Sequence, residues 1–103
     1  MATGILGQSA PTAATNTTVY TVPVGKTATF NISVANTTTG TIAARVALAG
    51  SGTPASSEFI EYDTPIVGNG VLERGGIVAQ AGENVVVYNA MAGLSFTVYG
   101  YEE

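Results

Sequence analysis

Cysteine, histidine and tryptophan are absent from this sequence of 103 residues. Without cysteine there is no disulfide, and without cysteine and histidine there is no zinc finger and no Cys–His nucleophile pair. The lack of histidine also removes the commonest general base and a frequent metal ligand. We therefore expect no enzyme, and no catalytic, cofactor-binding or metal-binding residues are predicted.

Charge is also scarce, at 10% of the residues. The cations are Lys26, Arg45 and Arg74, against seven carboxylates, and the formal net charge is −4. Nucleic-acid binding depends on a basic surface that neutralises phosphates, and three cations do not supply one. No nucleic-acid partner is predicted.

Long apolar runs are missing as well. No stretch approaches the ~20 apolar residues of a membrane-spanning helix. The first seven residues have neither the basic start nor the apolar run of an export signal. We expect an intracellular product without a membrane partner.

The residues that are present favour β-structure. Apolar residues make up 46% of the chain, and threonine, valine and tyrosine are frequent. Three runs alternate between apolar and small or polar residues, and the side chains that they place inward are Ala28, Phe30, Ile32 and Val34; Ile42, Ala44, Val46 and Leu48; and Leu94, Phe96 and Val98. This pattern predicts an all-β domain over residues 17–103, an antiparallel β-sandwich of about seven to eight strands, either immunoglobulin-like or jelly-roll-like.

Residues 1–16 differ in composition, because Ala, Thr, Gly, Ser and Pro dominate there. We interpret them as an extended N-terminal arm, in which Ile5 and Leu6 anchor the chain on a neighbouring subunit. A frayed terminus without a partner is the alternative. Removal of residues 1–16 is expected to weaken attachment of the chain to a larger assembly and to leave the melting midpoint of the domain nearly unchanged.

Two carboxylates and one cation inside the domain are candidates for an interface. Glu61 and Asp63 are predicted on one face of an edge or interface strand. A solvated rim, or inter-subunit salt bridges to Arg45 or Arg74, suits them better than a shared Ca²⁺, which needs six to eight oxygens. Arg74 is predicted to bond across strands or to a partner.

The five tyrosines divide into two groups. Tyr99 and Tyr101 lie opposite the inward face of the last strand and are assigned to an interface, since tyrosine combines apolar area with a polar tip. Tyr20, Tyr62 and Tyr88 are assigned to structural positions. The complete predicted interface is Ile5, Leu6, Glu61, Asp63, Arg74, Tyr99 and Tyr101.

Several segments resemble one family of proteins. They are residues 19–29 (VYTVPVGKTAT), the opening 4–9 (GILGQS), 61–63 (EYD), 70–74 (GVLER), 81–85 (AGENV) and the closing 98–103 (VYGYEE). Together they resemble small virion structural proteins of tailed bacteriophages, cyanophages in particular.

The resemblance implies a capsid decoration, or cement, protein without catalytic residues. Such a protein is made in the cytoplasm of the bacterial host and lies on the outer surface of the head. There it staples neighbouring copies of the major capsid protein, and a homotrimer is the favoured oligomer. A tail or fibre module that binds host glycans is the alternative, and a hydrolytic enzyme is the third hypothesis.

Overall fold

The structure, a computed structural model, describes residues 3–103. In this range it has eight β-strands and one short 3-10 helix. The strands are β1 (Thr3–Ser9), β2 (Thr17–Thr21), β3 (Thr27–Asn36), β4 (Ile42–Ala49), β5 (Phe59–Ile66), β6 (Val71–Gln80), β7 (Asn84–Asn89) and β8 (Leu94–Glu102), and the 3-10 helix is Ser56–Glu58.

The strands form two antiparallel sheets of four. Sheet A has the order β1-β8-β3-β6, and sheet B has the order β2-β7-β4-β5. The pairs β1/β8, β2/β7, β3/β6 and β4/β5 are those of one long hairpin that has been rolled into two sheets. The predicted antiparallel β-sandwich is confirmed, and its strand order is that of a jelly roll and not of an immunoglobulin domain.

One apolar core lies between the sheets. The inward residues predicted for β3 and β8 are all buried, and of those predicted for β4 only Leu48 is half-buried. Ala47 alternates with these inward residues and points to the outer face of its sheet, yet it is not exposed. It is buried on the outer face of sheet B, where Ala47, Ala49 and Val86 form a second cluster beneath Phe59.

The N-terminal segment is part of the sandwich. Residues 3–9 form β1, which pairs with β8 from Thr3↔Tyr101 to Ser9↔Phe96, and Leu6 packs against the core. Gly7 lies so close to the Val19 carbonyl of β2 that a side chain has no room there. The prediction of a separate arm over residues 1–16 is therefore wrong for residues 3–9, and residues 1–2 lie outside the described range. Ala and Gly do not prevent strand formation when a neighbouring strand supplies the hydrogen bonds.

Charge is unevenly distributed between the two ends of the sandwich. Loops 10–16, 37–41, 67–70 and 90–93 meet at one end, where backbone hydrogen bonds join Ala14 to Asn89, Thr37 to Gly93 and Asn69 to Thr38. None of these four loops contains a charged residue. We call them the uncharged end. The opposite end carries Lys26, Glu58, Glu83, Glu102 and Glu103.

Candidate functional site

A β-bulge in β5 determines where Glu61 and Asp63 point. Ala44 pairs with Thr64 and Val46 pairs with Glu61, so that Tyr62 and Asp63 together oppose Arg45. Asp63 has a left-handed backbone, with φ of 51°. The extra residue turns Glu61 toward the inside of the sandwich and Asp63 toward the outside. The prediction that both carboxylates share a face is wrong, because strict alternation does not survive a bulge.

Each carboxylate pairs with an arginine of the same chain. Glu61 Oε2 accepts a hydrogen bond of 2.6 Å from Arg74 Nη1, and its Oε1 accepts one of 2.7 Å from the Thr64 hydroxyl. Because Arg74 belongs to β6, this ion pair joins sheet A to sheet B along the open edge between β5 and β6. Both residues are thus used within the subunit.

Arg45 is the centre of a cluster on the outer face of sheet B. Its Nε and Nη2 donate to the two carboxylate oxygens of Asp63 at 2.6 and 3.3 Å. Its guanidinium carbon lies 4.2 Å from the centre of the Tyr62 ring and 4.4 Å from that of Tyr88, which are cation–π distances. The hydrogen bond to Asp63 raises the pKa of Arg45. The guanidinium is therefore held on three sides.

A cleft of about 510 Å³ lies beside this cluster. Its lining residues are Asn16, Arg45, Pro54, Ser56, Phe59 and Tyr62, and we call it the Arg45 cleft. Phe59 contacts Tyr62 edge-to-face, with 4.9 Å between the ring centres. The volume is within the range of small-molecule sites.

One wall of the cleft is the β4–β5 loop, and Glu58 holds that loop in place. Its carboxylate accepts hydrogen bonds from the backbone N–H of Ala55 at 2.7 Å and of Gly50 at 3.1 Å. These bonds favour the ionised form and lower the pKa of Glu58. Pro54 and Ser56 are therefore fixed against the outer face of sheet B.

The outer face of sheet A brings together three of the predicted interface residues. Ile5 is directly opposite Tyr99, and Tyr101 is flanked by Thr3 and Thr29. Thr29 in turn pairs with Val78. We call the patch formed by Ile5, Val78, Tyr99 and Tyr101 the Tyr101 face. The Tyr99 hydroxyl donates a hydrogen bond of 3.2 Å to Glu73 Oε2, and this bond raises the pKa of Tyr99. Of the other predicted residues, Leu6 is turned toward the core.

Two buried asparagines organise the uncharged end. Asn36 Nδ2 donates to the carbonyls of Gly40 and Ile66 at 2.8 and 2.9 Å, and its Oδ1 accepts from the Thr38 N–H at 2.9 Å. Asn89 is fully buried and donates to the carbonyls of Pro11 and Met91 at 3.3 and 2.7 Å. Together they tie all four loops to the strand ends, so the surface of this end is ordered.

Apolar side chains project from this ordered surface. Val67, Val71 and Met91 are 65%, 60% and 60% exposed. The other residues of loops 67–70 and 90–93 are glycine, asparagine and alanine. The uncharged end is therefore a neutral surface with apolar projections.

Comparison with known proteins gives no match to a family model, a curated protein or a solved structure. Among residues 3–103, no group of three or more carboxylates is placed to hold a metal ion. The described residues also contain no helix of the length and hydropathy needed to cross a membrane.

Sequence reasoning missed the Arg45 cleft and both buried asparagines. Tyr62 and Tyr88 were assigned structural positions without a link to Arg45, because the bulge that brings Tyr62 beside Arg45 leaves no mark in the alternation. The small residues of β4 were one signal in the sequence that its outer face is covered by another side chain. Ala47 and Ala49 leave space on the outer face for a large side chain to cover them.

Proposed function

We propose that this chain is a structural protein of a bacteriophage virion, a decoration or cement protein of the head. It binds the outer surface of the capsid and links neighbouring copies of the major capsid protein. The mechanism is adhesive, since buried interface area offsets the outward pressure of packaged DNA and no bond is made or broken.

The uncharged end is the observation that carries this proposal. Removing charged groups from water is costly unless each finds a partner, and an end without charges avoids that cost when it is covered. Charged residues are depleted at the centre of protein interfaces for the same reason. Asn36 and Asn89 fix the four loops before binding, which lowers the entropy lost on attachment.

Self-association into a homotrimer is part of the proposal. Three linked copies present three attachment surfaces to the shell, so each contact raises the effective concentration of the others. The Tyr101 face is the surface that we assign to contacts between copies. It lies on a sheet face, away from the uncharged end, so that both contacts are compatible.

Counting copies on purified particles tests the proposal. We expect hundreds of copies of the wild-type chain per virion, measured by quantitative mass spectrometry. Val67→Asp places a charge on the uncharged end and is expected to reduce occupancy of the head at least about tenfold at limiting protein, since a buried unpaired charge costs well over 1.4 kcal/mol.

Val24→Asp is the matched control. Val24 is also an exposed valine in a loop, but it lies at the opposite, charged end. We expect this variant to attach like the wild type. Equal attachment of both variants would exclude the uncharged end as the contact surface. A handful of copies per virion would instead favour a tail or fibre protein.

A further inference from the structure

We propose that the Arg45 cleft binds a neutral saccharide. The inference rests on the juxtaposition of two aromatic rings, an anchored guanidinium and the side chains of Asn16 and Ser56 around one cavity. It goes beyond attachment to the capsid, because the cleft lies beside Arg45 on the outer face of sheet B and shares only Asn16 with the loops of the uncharged end.

Contacts within the chain hold the lining residues Phe59 and Arg45 in place. Phe59 is seated on Ala47, Ala49 and Val86. Arg45 is fixed by Asp63 and by the rings of Tyr62 and Tyr88. A preformed site of this kind loses little entropy when a ligand binds.

The backbone at the site is in an unfavourable conformation. Asp63 has a positive φ within the bulge of β5, and Ala14, in the loop that leads to Asn16, has φ of 55°. Such conformations persist only where surrounding contacts hold them, and they cluster at ligand-binding positions. Here the bulge is what places Tyr62 and Asp63 on the same side as Arg45.

The groups that face the cavity match the surface of a sugar ring. Sugars present C–H groups that lie against aromatic rings and hydroxyls that both donate and accept hydrogen bonds. Tyr62 is 57% exposed and Phe59 is partly exposed, so apolar ring surface is available. Asn16 and Ser56 supply donors and acceptors. Among residues 3–103, Arg45 Nη1 has no hydrogen-bond partner and is free to donate.

The charges of the site argue against an ionic ligand. Asp63 neutralises Arg45 in a two-bonded pair, and the chain as a whole has a net charge of −4. An anion is therefore repelled at long range and meets no unpaired cation in the cleft. A cation meets a single carboxylate that is already paired. A neutral polar ligand is the remaining class.

Binding of free sugars to the isolated protein tests this inference. The probes are D-glucose, D-galactose, D-mannose and N-acetyl-D-glucosamine, titrated while the backbone amide NMR signals are recorded. We expect at least one to shift the amides of Arg45, Ser56 and Tyr62 and to leave those of Tyr99 and Tyr101 unchanged. Tyr62→Ala should weaken that binding at least tenfold, and Tyr101→Ala on the opposite sheet should leave it unaltered.

Three results would overturn the inference. They are the absence of binding by all four sugars, shifts confined to other surfaces, and tighter binding of D-glucuronate than of the neutral sugars. The amide shifts of the wild type decide the question even if Tyr62→Ala fails to fold. Because no capsid is present, the result is independent of the proposed decoration function.

Discussion

At the scale of single residues, Tyr20 joins the two sheets. It lies on β2, and its hydroxyl donates a hydrogen bond of 2.5 Å to Glu102 Oε2 on β8. Its ring is buried edge-to-face against Phe30, with 6.0 Å between the ring centres. Burial, and then the bond to Glu102, raise the pKa of Tyr20 far above its ordinary value. This contact closes the edge opposite to that closed by Glu61 and Arg74.

Tyr20→Phe is expected to lower the free energy of unfolding by roughly 1.5–3 kcal/mol at pH 8, since it removes a hydrogen bond to a charged acceptor. The raised pKa contributes stability below about pH 10, where tyrosine of the unfolded chain is protonated. Above that pH, Tyr20 ionises in the unfolded chain but stays protonated in the folded one. The difference in unfolding free energy between the wild type and Tyr20→Phe therefore falls by about 1.4 kcal/mol per pH unit. Urea unfolding of both proteins between pH 8 and 11 measures this. A gap that stays constant with pH would contradict the assignment.

At the scale of elements, β1 offers the sharpest test of the N-terminal segment. Leu6 packs against the core, whereas its neighbour Ile5 is 64% exposed. We expect Leu6→Ala to cost about 2 kcal/mol, because apolar burial and packing are lost. Ile5→Ala should change the stability of the monomer, measured at a concentration too low for self-association, by less than about 0.5 kcal/mol. Thermal unfolding of the two variants compares them directly. Equal and negligible effects of both substitutions would instead indicate that the N-terminal segment does not pack on the domain.

Elements that alternate strictly were predictable from the sequence, and elements that bend were less so. Phe30, Ile32 and Val34 repeat with period two, and that repeat alone identifies β3 and its buried face. The Gly75–Gly76 pair coincides with another bulge, which lies opposite Asn31. The bulge at Tyr62–Asp63 has no glycine to mark it. Strand order and the Arg45 cleft depend on pairings between distant segments, which local patterns do not encode.

At the scale of the whole molecule, the three surfaces proposed for binding lie in largely different regions. The uncharged end lies at one pole, the Arg45 cleft lies on the outside of sheet B, and the Tyr101 face lies on the outside of sheet A. If the three proposals hold, this arrangement lets one copy contact the shell, other copies and a small ligand at once. A stable interface buries about 800 Å² per partner, which is about a sixth of the 5085 Å² surface of one chain.

Self-association through the Tyr101 face predicts a definite mass in solution. Sedimentation equilibrium at micromolar concentration should give about three times the 10.4 kDa of one chain. Tyr101→Ser removes aromatic area from this face and is expected to shift the protein toward monomer. Tyr62→Ser is the matched control, because it removes an exposed tyrosine from the opposite sheet and should leave the mass unchanged. A monomeric wild type would exclude the trimer. A trimer that persists in Tyr101→Ser would show that the contact between copies lies on another surface.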